Sequence, residues 1–378
     1  MMMNGYNDFY TFSCDWETAE TTRKLNLYFY PRDNSIELYD VCMKRILLKR
    51  TVTELSLNDI YLNATLTIFG KKIIVRQYGN PMTEQKLSKI KQRTFLMIKP
   101  EARQFIGEII STLEKRKLYI RNLKMLKLQS LAAVQFLNQR KTPENKVSAL
   151  MQNLTSGLIT VLEITGENAY EQLKHICGPE NFDEAKNNYP ISLRALYGFD
   201  DIQCGVLLSD DYNMNLQDLE YFFPSMNDKL KVQAKFIKST LCIIKPHAIK
   251  EGNIGAILKM IIENGFSITA MKMLNLSRSK CETFYELYKG VVDDYASMVL
   301  QLQSGACLAI EVQGNNDDGV QKAFRSLCGP SDPSIAKIIR PNTIRANFGT
   351  DKILNAVHCT DLSEDTLLEM EYIFKELD

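Results

Sequence analysis

Apolar and polar positions in the C-terminal part of the chain follow a pattern that predicts a mixed α and β domain. Thr240–Lys245 is a short apolar run that Pro246 ends, and Phe266–Leu276 alternates apolar with polar side chains, so both are predicted strands. Between them, Asn253–Asn264 places isoleucine and leucine at helical spacing. The same patterns predict helices over 280–289 and 294–303, a strand over 306–312, and helices over 320–328 and 365–374. The order β-α-β-α-α-β-α is typical of a split βαβ, ferredoxin-like sandwich.

The N-terminal part of the chain follows a different pattern. Lys24–Tyr30 alternates with period 2 and is followed by a turn sequence, Pro31–Asn34. Further strands are predicted over 35–41 and 46–53, with a hairpin formed by 64–69 and 72–78. No helical period of helix length precedes Asn80, so this part is predicted to be a small all-β unit. The segments 80–93 and 224–239 are predicted linkers.

Five short sequences occur twice, in the same order, which indicates an internal repeat. The pairs are Thr94–Pro100 with Thr240–Pro246, Ile106–Ile110 with Ile254–Leu258, Cys177–Pro179 with Cys328–Pro330, Leu193–Ala195 with Ile344–Ala346, and Tyr221–Phe223 with Tyr372–Phe374. Their offset drifts only from 146 to 151 residues. The predicted fold class is therefore α+β, with an all-β domain over 1–92 and two copies of one ferredoxin-like α/β sandwich domain over 93–224 and 239–378.

Composition narrows the classes of protein that remain. Of 378 residues, 45% are hydrophobic and 24% are charged, which excludes global disorder. The formal net charge of +1 argues against a dedicated nucleic-acid binder but leaves room for a local anion pocket. Nine cysteines without metal or disulfide spacing fit a reduced, intracellular protein. Neither a secretory signal nor an apolar run long enough to span a membrane is expected, and common phosphate-loop, Rossmann, zincin and lipase motifs are absent.

Candidate chemistry centres on one of three histidines. His358 lies in Asn355-Ala-Val-His-Cys-Thr-Asp361, and Glu369 follows on the next predicted helix. A neutral imidazole can act as a nucleophile when a nearby carboxylate or hydroxyl fixes its tautomer. Three cationic residues, Lys245, Arg325 and Arg345, each stand beside a predicted strand end or turn, and their convergence would suit a triphosphate. Each residue alone has a more ordinary interpretation, because single histidines are often structural and arginines often form weak surface ion pairs.

The motifs in the second copy resemble the full set of nucleoside diphosphate kinase motifs, in order and at the family's spacing. They comprise Lys245-Pro246, Tyr285, Arg325, Gly329-Pro330, Ser331, Thr343-Ile-Arg345, Asn355, His358, Thr360, Asp361 and Glu369. The resemblance implies a ferredoxin-like fold and ping-pong transfer of a γ-phosphoryl group through His358, with Glu369 and Thr360 orienting its ring. It also implies that Lys245, Tyr285, Arg325, Ser331 and Arg345 hold phosphates and that Asn355 holds the sugar hydroxyl. Mg²⁺ is then expected only on the nucleotide phosphates, and no protein metal site is expected.

Both copies depart from the family pattern. Asp294 falls where the family stacks the nucleotide base on a phenylalanine. In the first copy, Lys99 and Arg194 remain, but Leu207 replaces the nucleophile. Further replacements in the first copy are Lys174 for the first arginine of the motifs, Glu180 for the serine, Cys204 for the asparagine and Asp218 for the glutamate. Asn138 falls near the position of the motif tyrosine, and His175 does not align with the nucleophile. Because leucine cannot accept a phosphoryl group, the first copy is predicted to be a pseudoenzyme.

The order of an all-β unit and two such domains is similar to that of ciliary members of the family. Leu27–Asp33 and Asp59–Tyr61 resemble the pleckstrin-homology-like domain of those members, which also occurs in axonemal EF-hand proteins. The resemblance implies a structural protein of the cytoplasm and cytoskeleton, on the inner wall of doublet microtubules in the cilium axoneme. Its implied partners are tubulin, other microtubule inner proteins and the gamma-tubulin complex, with no nucleic acid or membrane. An active kinase and a scaffold that binds nucleotide without turnover remain alternatives, and the two copies are predicted to form the family dimer within one chain.

Overall fold

The structure is a computed structural model that describes residues 9–17, 21–53, 55–88, 90–224, 230–314 and 319–377. The chain divides into two compact units, one of residues 1–92 with 277–279 and one of residues 93–276 with 280–378. No helix in the described ranges is both long enough and apolar enough to cross a membrane.

The N-terminal unit is an antiparallel sheet of six strands in the order β4-β3-β2-β1-β6-β5. Its strands are β1 Tyr10–Glu17, β2 Thr22–Tyr30, β3 Ser35–Asp40, β4 Arg45–Val52, β5 Thr65–Ile68 and β6 Lys71–Tyr78. The alternation in β2 buries Leu25, Leu27 and Phe29 on one face. The predicted all-β character is confirmed, although the pattern of β1 had not predicted a strand.

The segment predicted as a linker over 80–93 contains a helix, so that prediction is wrong. Helix α1 spans Pro81–Leu87, and strand β7 already begins at Gln92. The Asn80 side chain accepts a hydrogen bond from the Thr83 backbone N–H at 2.7 Å, and Pro81 takes the first helical position. Both features favour the start of a helix, and the sequence signal was therefore present.

The second unit contains one sheet of eight strands in the order β10-β7-β9-β8-β12-β13-β11-β14. The first copy contributes β7 Gln92–Ile98, β8 Tyr119–Leu126, β9 Ile159–Gly166 and β10 Val206–Leu208. The second copy contributes β11 Ser239–Ile244, β12 Ser267–Asn275, β13 Ala306–Gln313 and β14 Val357–Cys359. Within each copy the strands run in the spatial order fourth, first, third, second, as the predicted ferredoxin-like sandwich requires, and that fold class is confirmed.

Helices cover the sheet in each copy. Those of the first copy are α2 Ile106–Lys115, α3 Ser130–Gln139, α4 Glu144–Ser156, α5 Ala169–Cys177, α6 Phe182–Asn188, α7 Leu193–Tyr197 and α8 Tyr212–Phe222. Those of the second are α9 Pro246–Lys250, α10 Ile254–Glu263, α11 Arg278–Phe284, α12 Tyr295–Leu302, α13 Val320–Cys328, α14 Pro333–Ile339, α15 Ile344–Phe348 and α16 Thr366–Glu371, continued by a π-helical turn over Tyr372–Glu376.

The two copies are joined through a strand pair and a helix pair. Strand β8 pairs antiparallel with β12, with Met125 opposite Met271. On one face of the sheet, α2 packs on α10 so closely that a Cβ atom added at Gly255 would lie 2.2 Å from the Ser111 backbone nitrogen. The Glu114 carboxylate of the first copy also accepts hydrogen bonds from the first two N–H groups of α10, at 3.0 Å each. The copies therefore share one sheet and one apolar core.

A fully buried carboxylate fixes the end of the connecting segment between the copies. Residues 225–229 of the predicted linker lie outside the described ranges, while 230–238 is described and has no regular secondary structure. The Glu311 carboxylate on β13 accepts hydrogen bonds from the backbone N–H groups of Lys235 and Phe236. It accepts two more from the hydroxyls of Ser239 and Thr269, at 2.9 and 2.6 Å. Four donors compensate for burying this charge, and they hold the segment against the second copy.

Candidate functional site

His358 lies in the centre of the short strand β14, opposite Ile243 of β11. Its side chain is buried, and its Nε2 atom lies 3.1 Å from Oε2 of Glu369, which α16 carries across the strand end. The Thr360 hydroxyl donates to the same carboxylate oxygen at 2.7 Å. Because a carboxylate only accepts hydrogen bonds, Nε2 carries the proton of a neutral ring. The lone pair therefore resides on Nδ1, which is the tautomer that leaves a nucleophilic nitrogen.

Two aromatic rings at the end of α11 surround the imidazole. The ring centroids of Phe284 and Tyr285 lie 5.1 and 5.9 Å from that of His358, both edge to face. Tyr285 is fully buried, which raises the pKa of its hydroxyl. That hydroxyl has no hydrogen-bond partner among the described residues. A buried donor without a partner is costly, and this one belongs to a side chain that packs against the histidine ring.

Lys245, Asn355 and Ser331 form a single hydrogen-bonded chain. Lys245 is the residue directly after β11. Its ammonium donates to the Asn355 side-chain oxygen at 2.7 Å and to the Ile353 carbonyl at 3.0 Å. The Asn355 amide then donates to the Ser331 carbonyl at 3.1 Å. Burial, followed by the nearby charge of Arg345, lowers the pKa of Lys245 to about 7. The sequence-predicted residues thus meet, but the Asn355 side chain and the Ser331 carbonyl are engaged here with protein groups.

Arg345 lies behind the strand that carries the histidine. Its guanidinium donates to the Val357 carbonyl through Nε and Nη2, at 3.3 and 3.1 Å, and to the Gly329 carbonyl at 2.9 Å. Nη2 also lies 3.6 Å from the Cys359 sulfur. A hydrogen bond from Cys328 and the charge of Arg345 together lower the pKa of Cys359, against the effect of its burial. Arg345 therefore supports β14 as well as placing a positive charge beside it.

Arg325 forms an ion pair with Asp361 at the open side of the site. The Tyr288 hydroxyl donates to the other Asp361 oxygen at 2.9 Å, and Gln321 donates to the Thr360 and Asp361 carbonyls at 2.7 and 2.9 Å. Tyr288 and Gln321 were not identified from the sequence, and only the family motif containing Asp361 marked their neighbourhood. A phosphate that binds Arg325 has to compete with Asp361, because the two side chains are already paired.

A second histidine near this site, His247, has a structural role. His247 Nε2 accepts a hydrogen bond from the Ala356 backbone N–H at 3.2 Å, and its other ring nitrogen lies 3.1 Å from the Gln301 amide. Burial and the charge of Lys245 lower the pKa of His247 to about 4, so the ring is neutral near pH 7. This geometry agrees with the ordinary interpretation of a single histidine rather than with a catalytic one.

Within the described ranges no group of three or more His, Cys, Asp or Glu side chains could hold a metal ion. Asp294, at the position where the family stacks the base, is exposed at the start of α12, and the neighbouring Tyr295 hydroxyl donates to the Glu282 carbonyl at 3.4 Å. The cationic and hydroxyl groups around His358 fit a phosphate chain better than that position fits a base.

The first copy reproduces the backbone of this site with different side chains. Leu207 pairs with Met97 across the sheet, as His358 pairs with Ile243. Ser209 donates to the Asp218 carboxylate at 2.6 Å, as Thr360 donates to Glu369. Arg140, which sequence reasoning missed, forms an ion pair with the buried Asp218 where the second copy has a histidine contact. Lys99 and Arg194 are both buried beneath the corresponding strand.

The structure contains the ferredoxin-like fold twice in one chain, and the second copy has a histidine–carboxylate pair at its short edge strand with buried cations beside it. These features define a nucleoside diphosphate kinase-like protein. The nucleoside diphosphate kinase family model matches residues 92–227 and 238–378, and the chain belongs to this family. It is similar to nucleoside diphosphate kinase homolog 7 of Rattus norvegicus, with 41% identity over 98% of this chain and 93% of the relative. The homolog 7 of Mus musculus is 40% identical over the same shares. A crystal structure of the Aquifex aeolicus nucleoside diphosphate kinase is 36% identical over 37% of this chain and 96% of that chain, with a TM-score of 0.35.

Proposed function

We propose that the second copy transfers a phosphoryl group from a nucleoside triphosphate to a nucleoside diphosphate through His358. The observation that carries the proposal is the contact of 3.1 Å between Nε2 of His358 and Glu369, which directs the lone pair to Nδ1. Nδ1 attacks the γ-phosphorus, the bond to the bridging oxygen breaks, and the diphosphate leaves with the electron pair. The phosphohistidine then gives the same group to the oxygen of an acceptor diphosphate.

The residues around the histidine stabilise charge rather than form bonds. Transfer of this kind depends on in-line positioning and on positive charge at the equatorial oxygens. Lys245 would gain a proton as a phosphate approaches, because an anion favours its charged form over the partly neutral form that burial creates. Tyr285 supplies its unpartnered hydroxyl, and Arg345 supplies a fixed charge. Mg²⁺ on the phosphates would neutralise part of their charge.

Labelling the full chain with ATP radiolabelled in its γ-phosphate tests this proposal. The expected result is an acid-labile, base-stable label on the wild type and none on His358→Ala. His175→Ala is the matched control, since His175 is an exposed histidine on α5 of the first copy and should keep the full label. Absence of label on folded wild type, or label that survives in His358→Ala, would overturn the proposal.

A second candidate is a structural role in ciliary axonemal doublet microtubules, with tubulin and other microtubule inner proteins as partners and the gamma-tubulin complex as another candidate partner. It is supported by a first copy that keeps its fold and shared core while Leu207 replaces the nucleophile. The family resemblance of the N-terminal β unit and the similarity to homolog 7 along the chain add to it. Under this proposal the β8–β12 and α2–α10 contacts replace a homodimer, and light scattering should give the mass of a monomer.

Expression of variants in ciliated cells separates the two candidates. A purely structural role predicts that His358→Ala enters axonemes as efficiently as the His175→Ala control. Failure of folded His358→Ala to assemble would contradict a role that is independent of phosphate transfer. The labelling result above is obtained on purified protein, so each candidate can fail without the other.

A further inference from the structure

Helix α16 and the turn before it carry more apolar side chains than the core of the second copy covers. Met370 is 1% exposed and packs in that core, whereas Leu367 and Leu368 of the same helix are 52% and 65% exposed. Leu362 is 54% exposed, and its carbonyl accepts a hydrogen bond from the Asp365 N–H at 3.2 Å, so a single turn separates it from the helix. Single exposed leucines are ordinary on a protein surface, but these three lie within seven residues of sequence. Leu362, Leu367 and Leu368 are called the α16 patch below.

Carboxylates border the α16 patch. The segment 361–371 has no lysine or arginine, and its five acidic residues are Asp361, Glu364, Asp365, Glu369 and Glu371. Three of the five are already paired in the structure, with Arg325, Lys375 and His358. The other two are Glu364 and Asp365, and within the described ranges no lysine, arginine or histidine forms an ion pair with either. The patch therefore has two neighbouring carboxylates that are open to a cation.

The charges that act on Asp365 are negative. Burial, followed by the nearby charges of Glu369, Glu364 and Asp361, raises the pKa of Asp365. Because carboxylates that repel one another are stabilised by an approaching cation, this part of the surface favours a positively charged partner.

The first copy has the same fold without this surface. In place of the first and last leucine it has Asp211 and Gln217, and in place of the two unpaired acids it has Asn213 and Met214. Asp211 instead caps α8, since its side chain accepts a hydrogen bond from the Met214 N–H at 2.8 Å. Only the leucine between them remains, as Leu216, which is 43% exposed. The fold therefore requires neither the α16 patch nor the unpaired acids beside it.

We propose that the α16 patch docks a segment of another protein that carries apolar side chains flanked by lysine or arginine. The three leucines bury against the apolar side chains of that segment, and Glu364 and Asp365 pair with the cations at its edge. Charge selects the class of partner, because an anionic lipid surface or a nucleic acid would bring more negative charge to carboxylates that already repel one another. The proposal does not depend on phosphate transfer through His358.

Fluorescence anisotropy with a designed peptide tests the proposal on the full chain. The probe is a fluorescein-labelled peptide of about 18 residues, made of leucine and lysine with the leucines on one helical face. A second peptide has glutamate in place of every lysine. The test variants are Leu367→Gln/Leu368→Gln, which removes apolar surface, and Glu364→Gln/Asp365→Asn, which removes charge at nearly constant shape.

Each test variant has a matched control in the first copy. Leu131→Gln/Leu216→Gln replaces two leucines that are 71% and 43% exposed. Asp183→Asn/Glu184→Gln neutralises two adjacent exposed acids on α6. Thermal unfolding of all four variants confirms that they fold.

Wild type is expected to bind the lysine peptide and not the glutamate peptide. Both test variants should bind the lysine peptide at least about tenfold more weakly than their controls, and added salt should weaken binding to wild type. No binding to wild type, or equal binding of the two peptides, overturns the proposal. Equal affinity of the leucine variant and its control would show that the patch is not the docking surface. Equal affinity of the charge variant and its control would show that the partner is not recognised by its cations, which also overturns the proposal.

Discussion

Replacing Gly255 with alanine tests the backbone contact that joins the two copies. The new Cβ would lie 2.2 Å from the Ser111 nitrogen and 2.7 Å from the Gly107 carbonyl oxygen, and neither backbone atom can rotate away. Reaching an ordinary contact of 3.4 Å requires α2 and α10 to separate by about 1 Å. This separation would loosen the apolar seam between the helices and lengthen the hydrogen bonds from α10 to Glu114.

Opposing effects determine how much Gly255→Ala changes the free energy of unfolding. Overpacking costs about 1–3 kcal/mol, weakening the two hydrogen bonds to Glu114 adds up to ~2 kcal/mol, and alanine regains ~1 kcal/mol over glycine in a helix. We expect a net loss of about 2–3 kcal/mol in the free energy of unfolding, seen as a lower urea midpoint for the full chain. Gly305→Ala is the matched control, since its Cβ would meet no atom closer than 3.6 Å. A Gly255→Ala chain as stable as wild type, or more stable, would show that the helices do not touch there.

Two further tests concern carboxylates of the first copy, the half-buried Glu114 and the buried Asp218. Burial raises the pKa of Glu114 from 4.5 to about 7. Between these two pH values the folded chain keeps a proton on Glu114 that the unfolded chain releases. The free energy of unfolding therefore falls as the pH rises through this interval. Urea unfolding should therefore show wild type losing stability relative to Glu114→Gln over that interval, and parallel pH profiles would contradict the assignment. Arg140→Met should cost about 3–5 kcal/mol because it leaves Asp218 buried without a cation, whereas adding Asp218→Asn should recover much of the loss. Equal losses in the single and double variants would show that the pair is not coupled.

Long amphipathic elements were predictable from the sequence, and short ones were not. Helix α13 occupies the predicted range of Val320–Cys328, and α10 differs from prediction by one residue at each end. Strand β14 has three residues, too few to show a period, and it becomes a strand because β11 pairs with it. Helices α14 and α15 were missed for the same reason, since each is stabilised mainly by what it packs against rather than by a pattern of its own.

The residues of the candidate site that match the spacing of the family motifs were predictable from the sequence. Residues that reach the site only through tertiary contacts were not. His358 and Glu369 are eleven residues apart, and the fold brings Nε2 and the carboxylate together. The predicted role of Arg325 remains a prediction, because its guanidinium binds Asp361 in this structure. Arg140 matches no family motif, and its position at the end of α3 acquires meaning only when α8 brings Asp218 beside it.

Comparison of the two copies shows which interactions the fold requires and which the chemistry requires. Gln321 of the second copy holds the Thr360 and Asp361 carbonyls through an amide, and Tyr170 of the first holds the matching Ser209 and Asp210 carbonyls through a hydroxyl. The residue type differs while the pair of contacts persists, because a backbone carbonyl needs a hydrogen-bond donor where the chain leaves the strand. The replacement of histidine by Leu207 removed no such contact from the backbone, and the sheet register is unaltered. The histidine is therefore separable from the framework, and a copy without it can keep both its fold and a cavity lined by cationic side chains.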